Sequence, residues 1–214
     1  MKVFFVGGAN QARICYNIIK KNGHEVPYIY DSTKGLAAPW DCFVFDDEKA
    51  IPQYARDCEG FLVCIGDSHG EIRVRYSRQL QQLGLTPISA IHPAAYIGEQ
   101  THIGAGLQAM PGSVVSDFAV VGDFCMFNVN CSVGHGCVLG AGIHVMTAAV
   151  LTGLARVGDY STIGTNATVL PRIMIGSRCY IGAGAVVTRD VPDNAVVAGV
   201  PAKVIRYRSE DGGD

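Results

Sequence analysis

From Ile97 onward a large apolar side chain recurs at every sixth position: Ile97, Ile103, Val115, Val121, Phe127, Val133, Leu139, Val145, Leu151, Val157, Ile163, Val169, Ile175, Ile181 and Val187, with Ala109 the one small member of the series. A helix repeats at about 3.6 residues and an isolated strand at 2, so a strict period of six belongs to neither and points to a solenoid. Glycine follows the aliphatic residue at positions 98, 104, 122, 134, 140, 158, 164, 176 and 182. Two places before it the residue is mostly small, as at Ala95, Ser113, Ala119, Cys125, Cys131, Cys137, Ala155 and Ala167. These features describe a parallel β-helix with three short strands per coil, about eighteen residues per coil and about five coils in unbroken register. The aliphatic residue points inward, the glycine eases the backbone through the corner, and the small residue fills a crowded inward position. Cys125, Cys131 and Cys137 are then packing residues rather than nucleophiles.

The first part of the chain reads differently. KVFFVGG is a buried strand, and a helix from about Gln11 to Lys21 stops at Asn22-Gly23. HEVPYIYD and DCFVF are further strands, EKAIPQYARDC is helical, FLVCIGD is a fourth strand, and EIRVRYSRQLQQLG is a helix leading to TPISAIH. Strands alternating with helices at this spacing give βαβ units and a small parallel sheet of Rossmann-like α/β type. We place the domains at 1–88 and 89–214. Ligands of such sheets bind at the carboxyl ends of the strands. Two turns qualify, Val6-Gly7-Gly8-Ala9-Asn10 and Ile65-Gly66-Asp67-Ser68, together with Asp31 at the end of the second strand. Gly7, Gly8, Asn10, Asp31, Gly66 and Asp67 are therefore candidate substrate-binding residues. The plainer alternative is that the glycines make tight turns and Asp31 is a solvated loop residue.

Composition narrows the functional classes. With 49% apolar and 17% charged residues the chain has the means to bury a core, and a formal net charge of -2 supplies no basic field for nucleic acid. No run of about 18 apolar residues suggests a membrane span, and the N-terminus has no long apolar region with a cleavage site, so a cytoplasmic protein is expected. The eight cysteines contain no CxxC pair and are expected to be thiols.

The hexapeptide pattern and the ending IGAGAVVTRDVPDNAVVAGVPAKVIR, with GVPAK at Gly199 to Lys203, resemble the left-handed β-helix acyltransferases. With the α/β segment in front and IHPAAYIG at the junction, the chain is similar to the PglD/NeuD-type sugar acyltransferases. The resemblance covers nearly the whole chain. It implies left-handed coiling, a homotrimer with active sites between neighbouring prisms, a front domain that holds a nucleotide-linked amino sugar, and a prism that holds acetyl-coenzyme A without a metal. It further implies that His135 is the catalytic base, that His144 is a second active-site histidine near the substrates, that Asn128 is an active-site asparagine, and that the Gly153 N–H faces the thioester oxygen. His144, Gly153, Gly164, Gly182, Ala183 and Lys203 are the acetyl-CoA-binding candidates by the same resemblance. The sequence departs from the family at the first loop, where Ala9, Asn10 and Ala12 replace glycines, and beside the base, where Gly136 stands in place of an acidic residue.

The residue types fit amide formation. An amine attacking a thioester loses a proton as the C–N bond forms, and neutral imidazole accepts protons near neutral pH. His135 and His144 both avoid the aliphatic interior register, although a corner histidine bonded only to a neighbouring coil is the alternative. A zinc hydrolase would need His102, His135 and His144 to converge, and His102 lies nearly two coils before His135. An N-acetyltransferase on a nucleotide-linked amino sugar is thus the expected function, with an O-acetyltransferase on a sialic acid or a non-catalytic nucleotide-sugar-binding scaffold as alternatives.

Overall fold

The computed structural model describes residues 1–37 and 40–209 of the chain. They form two compact units, one made of Met1–Gly66 with Ile72–Ala90, the other of Asp67–Glu71 with the chain from Ile91 onward.

In the first unit five parallel strands, β1 (Val3–Val6), β2 (Tyr28–Tyr30), β3 (Phe43–Phe45), β4 (Gly60–Val63) and β5 (Thr86–Pro87), lie in the order β3-β2-β1-β4-β5. The apolar runs VFFV and GFLV put β1 and β4 in the centre, where every residue of both strands is buried. Helix α1 (Asn10–Lys21) buries Ala12, Cys15, Ile18 and Ile19 at helical spacing. The stretch expected as one helix over EKAIPQYARDC instead splits into a 3₁₀ turn, Glu48–Ala50, and a short helix α2 (Ile51–Ala55). Pro52 is the reason, because a residue without an N–H is tolerated only in a helix's first turn. Helix α3 runs from Gly70 to Gln82. The strand order reverses at β1, which is where β2 departs on one side and β4 on the other, so the turns after β1 and β4 are neighbours.

The second unit is the left-handed parallel β-helix that the period of six requires. Two-residue strands stack into three faces. The first face holds Tyr96–Ile97, Val114–Val115, Ser132–Val133, Val150–Leu151, Thr168–Val169 and Val186–Val187. The second holds His102–Ile103, Val120–Val121, Val138–Leu139, Arg156–Val157 and Met174–Ile175. The third, eight-stranded, starts at Ala90–Ile91, passes through Met126–Phe127, His144–Val145, Thr162–Ile163 and Tyr180–Ile181, and closes on the hairpin Ala195–Ala198 and Lys203–Tyr207. From Tyr96 to Val187 successive strands of a face pair in parallel 18 residues apart, as Val115 with Val133 and Val145 with Ile163. The aliphatic residues fill one continuous core together with Cys125, Cys131, Cys137, Ala149, Ala155, Ala167 and Cys179.

Two features of the corners differ from the sequence expectation. The glycine after each strand is not where the backbone turns left-handed. Positive φ falls two residues later, at every sixth residue from Gly106 to Gly184, and it is carried there by Phe118, Phe124, Asn130, Ala148, Leu154, Tyr160, Asn166, Arg172 and Arg178 as well as by glycine. The post-strand glycine is needed for a different reason: a Cβ on Gly122 would lie 2.6 Å from the backbone of Gly140 one coil on, and a Cβ on Gly104 2.6 Å from the Asp123 nitrogen. Close stacking of coils, not turn geometry, selects glycine there. The small inward residues also do more than pack. Thr101, Cys125, Cys137 and Ser161 each donate to the corner carbonyl fifteen residues on, at Ser116, Gly140, Thr152 and Gly176. Each gives an inward carbonyl a partner, and at Thr152 the Ala155 N–H is a second donor, at 3.3 Å.

Candidate active site

His135 sits at the corner between the first and second faces, exposed, two residues after the inward Val133. Its imidazole lies across Gly153, its counterpart one coil on. A Cβ at position 153 would stand 2.8 Å from the ring's Cε1 and 3.0 Å from its Cδ2, and closer still to Nε2. The two residues that family resemblance assigns to base and oxyanion stabiliser are thus in direct contact, and only glycine fits beneath the ring.

The backbone around Gly153 is almost fully engaged. The Thr152 N–H and Oγ1 both donate to the Val169 carbonyl, at 3.1 and 2.7 Å. The Arg172 N–H donates to the Gly153 carbonyl, and the Leu154 N–H to the His135 carbonyl. Among the described residues nothing accepts from the Gly153 N–H itself. At other corners an aspartate caps the equivalent N–H from the coil above, as Asp123 does for Ala105 and Asp159 for Ala141; the residue above Gly153 is Pro171, which has no such carboxylate. Gly136 takes the left-handed corner conformation with φ 63° and donates its N–H to the Asp117 carbonyl. A Cβ there would touch only the flexible end of Leu154.

His144 is in a different place. It belongs to the third face between Met126 and Thr162, and it is 4% exposed. Its Nδ1 lies 3.0 Å from the Asp67 carbonyl. A carbonyl only accepts, so Nδ1 carries a proton. This bond is part of a fastening that sequence reasoning missed. The segment Asp67–Glu71 lies on the prism: Gly70 packs so tightly against the Gly142 carbonyl and Tyr160 Cα that no side chain fits, and Glu71 receives a two-pronged ion pair from Arg178 at 3.1 Å for each contact. The bond to Glu71 raises the guanidinium pKa above its ordinary value, and Arg178 also covers the Tyr160 ring. Residues more than a hundred apart in sequence gave no periodic signal of this contact. Asp67 itself is exposed and held at φ 54°.

Asn128, Gly164, Gly182 and Ala183 follow third-face strands and stack at the corner between the third and first faces. A Cβ on Gly164 would meet the Ala183 nitrogen at 2.9 Å. The Asn128 Oδ1 accepts from the Val129 N–H at 2.8 Å. Lys203 opens the closing strand of the third face and is exposed. One chain therefore sorts the prism candidates into two groups, His135 with Gly153 at one corner and Asn128, His144, Gly164, Gly182, Ala183 and Lys203 on and beside the third face. It does not bring the two groups together.

In the first unit the candidates converge on the strand-order reversal. Gly7 is left-handed at φ 88°, and a Cβ there would lie 3.0 Å from the Cys64 carbonyl, so the turns after β1 and β4 touch. The Asp31 carboxylate is engaged by the protein: Oδ2 accepts from the Gly8 N–H at 2.7 Å and Oδ1 from the Thr33 N–H at 2.8 Å. Asp31 thus pins the first loop. Asn10 opens α1, and Gly66 ends the unit's first segment after β4. Arg73, absent from the sequence candidates, is fully buried and donates to the Ile65 carbonyl at 2.7 Å, holding the turn that carries Gly66. Among the described residues no group of three or more His, Cys, Asp or Glu side chains is placed to hold a metal ion, and no helix is long and apolar enough to cross a membrane.

Comparison with known proteins accounts for this arrangement. A family model described as bacterial transferase hexapeptide (six repeats) matches residues 155–189. Curated proteins give no sequence match. Among solved structures, PerB from Caulobacter crescentus in complex with CoA and GDP-perosamine is 30% identical with a TM-score of 0.89, covering 96% of this chain and 98% of that one. The acetyltransferase domain of PglB from Neisseria gonorrhoeae, in complex with acetyl coenzyme A, is 26% identical with a TM-score of 0.83, covering 95% and 98%. WeeI from Acinetobacter baumannii, at 19% identity and a TM-score of 0.85 over 96% of this chain and all of that one (100%), shares the fold. With both the α/β unit and the prism matched along nearly their full length, this chain belongs to the hexapeptide-repeat sugar acyltransferases.

Proposed function

We propose that the protein transfers an acetyl group from acetyl-CoA to the amine of a nucleotide-linked sugar, with His135 as general base. The observation that carries this reading is the imidazole of His135 resting on Gly153, beside an N–H for which the described residues offer no acceptor. The sugar amine attacks the thioester carbon, His135 takes the amine proton, and the Gly153 N–H stabilises the oxyanion of the tetrahedral intermediate. Collapse breaks the C–S bond, and the proton on His135 passes to the departing CoA thiolate. The buried cysteines play no covalent part. Residues 1–88 hold the nucleotide sugar through Gly7, Gly8, Asn10 and Gly66, with Asp31 fixing the loop, while Asp67 lies on the segment that His144 fastens. Residues 89–214 carry the acyl transfer, with CoA along Gly164, Gly182, Ala183 and Lys203.

Support for the substrate class comes from similar proteins: perosamine N-acetyltransferase from Caulobacter crescentus was crystallised with CoA and GDP-perosamine in histidine-to-asparagine and histidine-to-alanine forms. The separation of the prism candidates into two groups supports a homotrimer in which the His135 corner of one copy meets the third face of the next. Exposed Phe118, Leu154 and Leu170, which flank His135 on its own corner, supply apolar surface for that contact. The free thiol state of all eight cysteines fits the cytoplasm. The test is a panel of nucleotide-linked amino sugars, GDP-perosamine first, incubated with acetyl-CoA and read by mass spectrometry. A gain of one acetyl group that His135→Asn abolishes supports the reading. No acetylated product across amino sugars, with acylation of a sialic acid hydroxyl instead, overturns it.

A further inference from the structure

Cys137 lies in the prism core, fully buried, two residues past His135. Its thiol donates to the Thr152 carbonyl at 3.1 Å. That carbonyl belongs to the same peptide unit as the Gly153 N–H. A trans peptide is planar, with its C=O and N–H pointing in opposite directions. A carbonyl drawn into the core therefore turns the Gly153 N–H outward, onto the surface where the His135 ring lies. We propose that Cys137 is a positioning residue for acyl transfer, holding the Thr152–Gly153 peptide so that its N–H faces the reacting thioester. This rests on the assignment of the Gly153 N–H to the oxyanion.

Three observations sharpen the inference. Burial pushes the Cys137 thiol up, so it remains a protonated donor at neutral pH. The same device works at other corners, where Cys125 donates to the Gly140 carbonyl at 3.2 Å, but there the following N–H, that of Ala141, is capped by Asp159. At the His135 corner the device aims an uncapped N–H beside an imidazole. Finally, the register tolerates a residue without a donor, since alanine fills it at 119, 149, 155, 167 and 185. Cys137→Ala is thus expected to fold, leaving the Ala155 N–H, at 3.3 Å, as the remaining donor to the Thr152 carbonyl and the peptide less firmly held.

The experiment is isotope-edited infrared spectroscopy of acetyl-CoA, labelled with ¹³C at the thioester carbonyl, bound to the full-length protein and to Cys137→Ala, Cys137→Ser and Cys125→Ala. A hydrogen bond to the carbonyl lowers its stretching frequency. The expected result is a downshift on binding in the wild type and in Cys125→Ala, a smaller one in Cys137→Ala, and its return in Cys137→Ser, whose hydroxyl replaces the donor. A downshift in Cys137→Ala equal to the wild type's overturns the positioning role and leaves the Gly153 assignment standing. No downshift in the wild type overturns the Gly153 assignment, and the role of Cys137 with it.

Discussion

At the scale of single residues the proposed chemistry rests on one imidazole and the glycine beneath it. His135→Asn keeps a hydrogen-bonding side chain but no proton acceptor at neutral pH, so kcat is expected to fall by roughly 10²- to 10⁴-fold. Tryptophan-fluorescence-independent binding assays, such as calorimetry with CoA, should show affinity within a few-fold of wild type. Near-normal turnover would remove His135 from the role of base. Gly153→Ala tests the same contact from below, because its methyl group would enter the space of the ring; turnover should fall comparably, and a crystal structure should show the imidazole displaced. His135 was legible in the sequence because the period of six marks it as a side chain outside the aliphatic register. The role of Gly136 was not. Its corner conformation is shared by tyrosine, leucine and arginine elsewhere in the prism, so glycine there is not demanded by the backbone. His144 was legible as polar and off-register, but its partner, a backbone carbonyl at Asp67, leaves no trace in composition or spacing.

At the scale of elements the period of six determined the strands, the inward residues and the stacking partners, since every coil must bury the same register. The reason for the post-strand glycines was hidden, because intercoil distance is a property of two coils and the repeat displays only one. The two kinds of corner position make opposite predictions. Gly122→Ala forces a methyl group to within 2.6 Å of the next coil's backbone and should cost about 1–3 kcal/mol in denaturant unfolding. Ala148→Gly relieves a left-handed alanine at φ 55° and should stabilise by about 1 kcal/mol. If both substitutions destabilise equally, the distinction between stacking and turning positions fails. The Asp67–Glu71 segment can be divided the same way. The Arg178–Glu71 pair is partly exposed, with side-chain exposures of 42% and 55%, so Glu71→Gln should cost no more than about 0.2–1 kcal/mol. Gly70→Ala drives a methyl group into the Gly142 carbonyl and should expose the amides of the segment, read as faster hydrogen exchange there. Unchanged exchange in Gly70→Ala would mean that the segment is not held by this packing.

At the scale of the whole molecule, the buried thiols set an alkaline limit and the division of the candidate residues makes the proposed trimer testable. Burial raises the Cys131 thiol from its ordinary 9.0 to about 12. Between those values the unfolded chain loses the proton while the folded one keeps it, so stability is full below pH 9 and declines as pH rises toward 12, by about 1.4 kcal/mol per pH unit for this thiol. Cys131→Ala should flatten that decline in urea titrations, and an unchanged slope would assign alkaline unfolding to other groups. The proposed trimer rests on where the chain puts its candidate residues. His135 and Gly153 occupy the corner after the first face, whereas Gly182 and Ala183 occupy the corner after the third. A trimer that closes the first corner of one copy on the third face of the next makes each site from two chains. His135→Asn spoils one side of every site. Ala183→Trp, at an exposed corner that accepts a large side chain without disturbing the core, obstructs the CoA side of every site. Each variant alone should be close to inactive. Dissociated, mixed in equal amounts and reassembled, they should regain about a quarter of wild-type activity, because about one interface in four pairs an intact His135 with an unobstructed Ala183 when subunits combine at random. If each site were built within a single chain, every site in the mixture would carry one lesion or the other, and mixing would restore nothing.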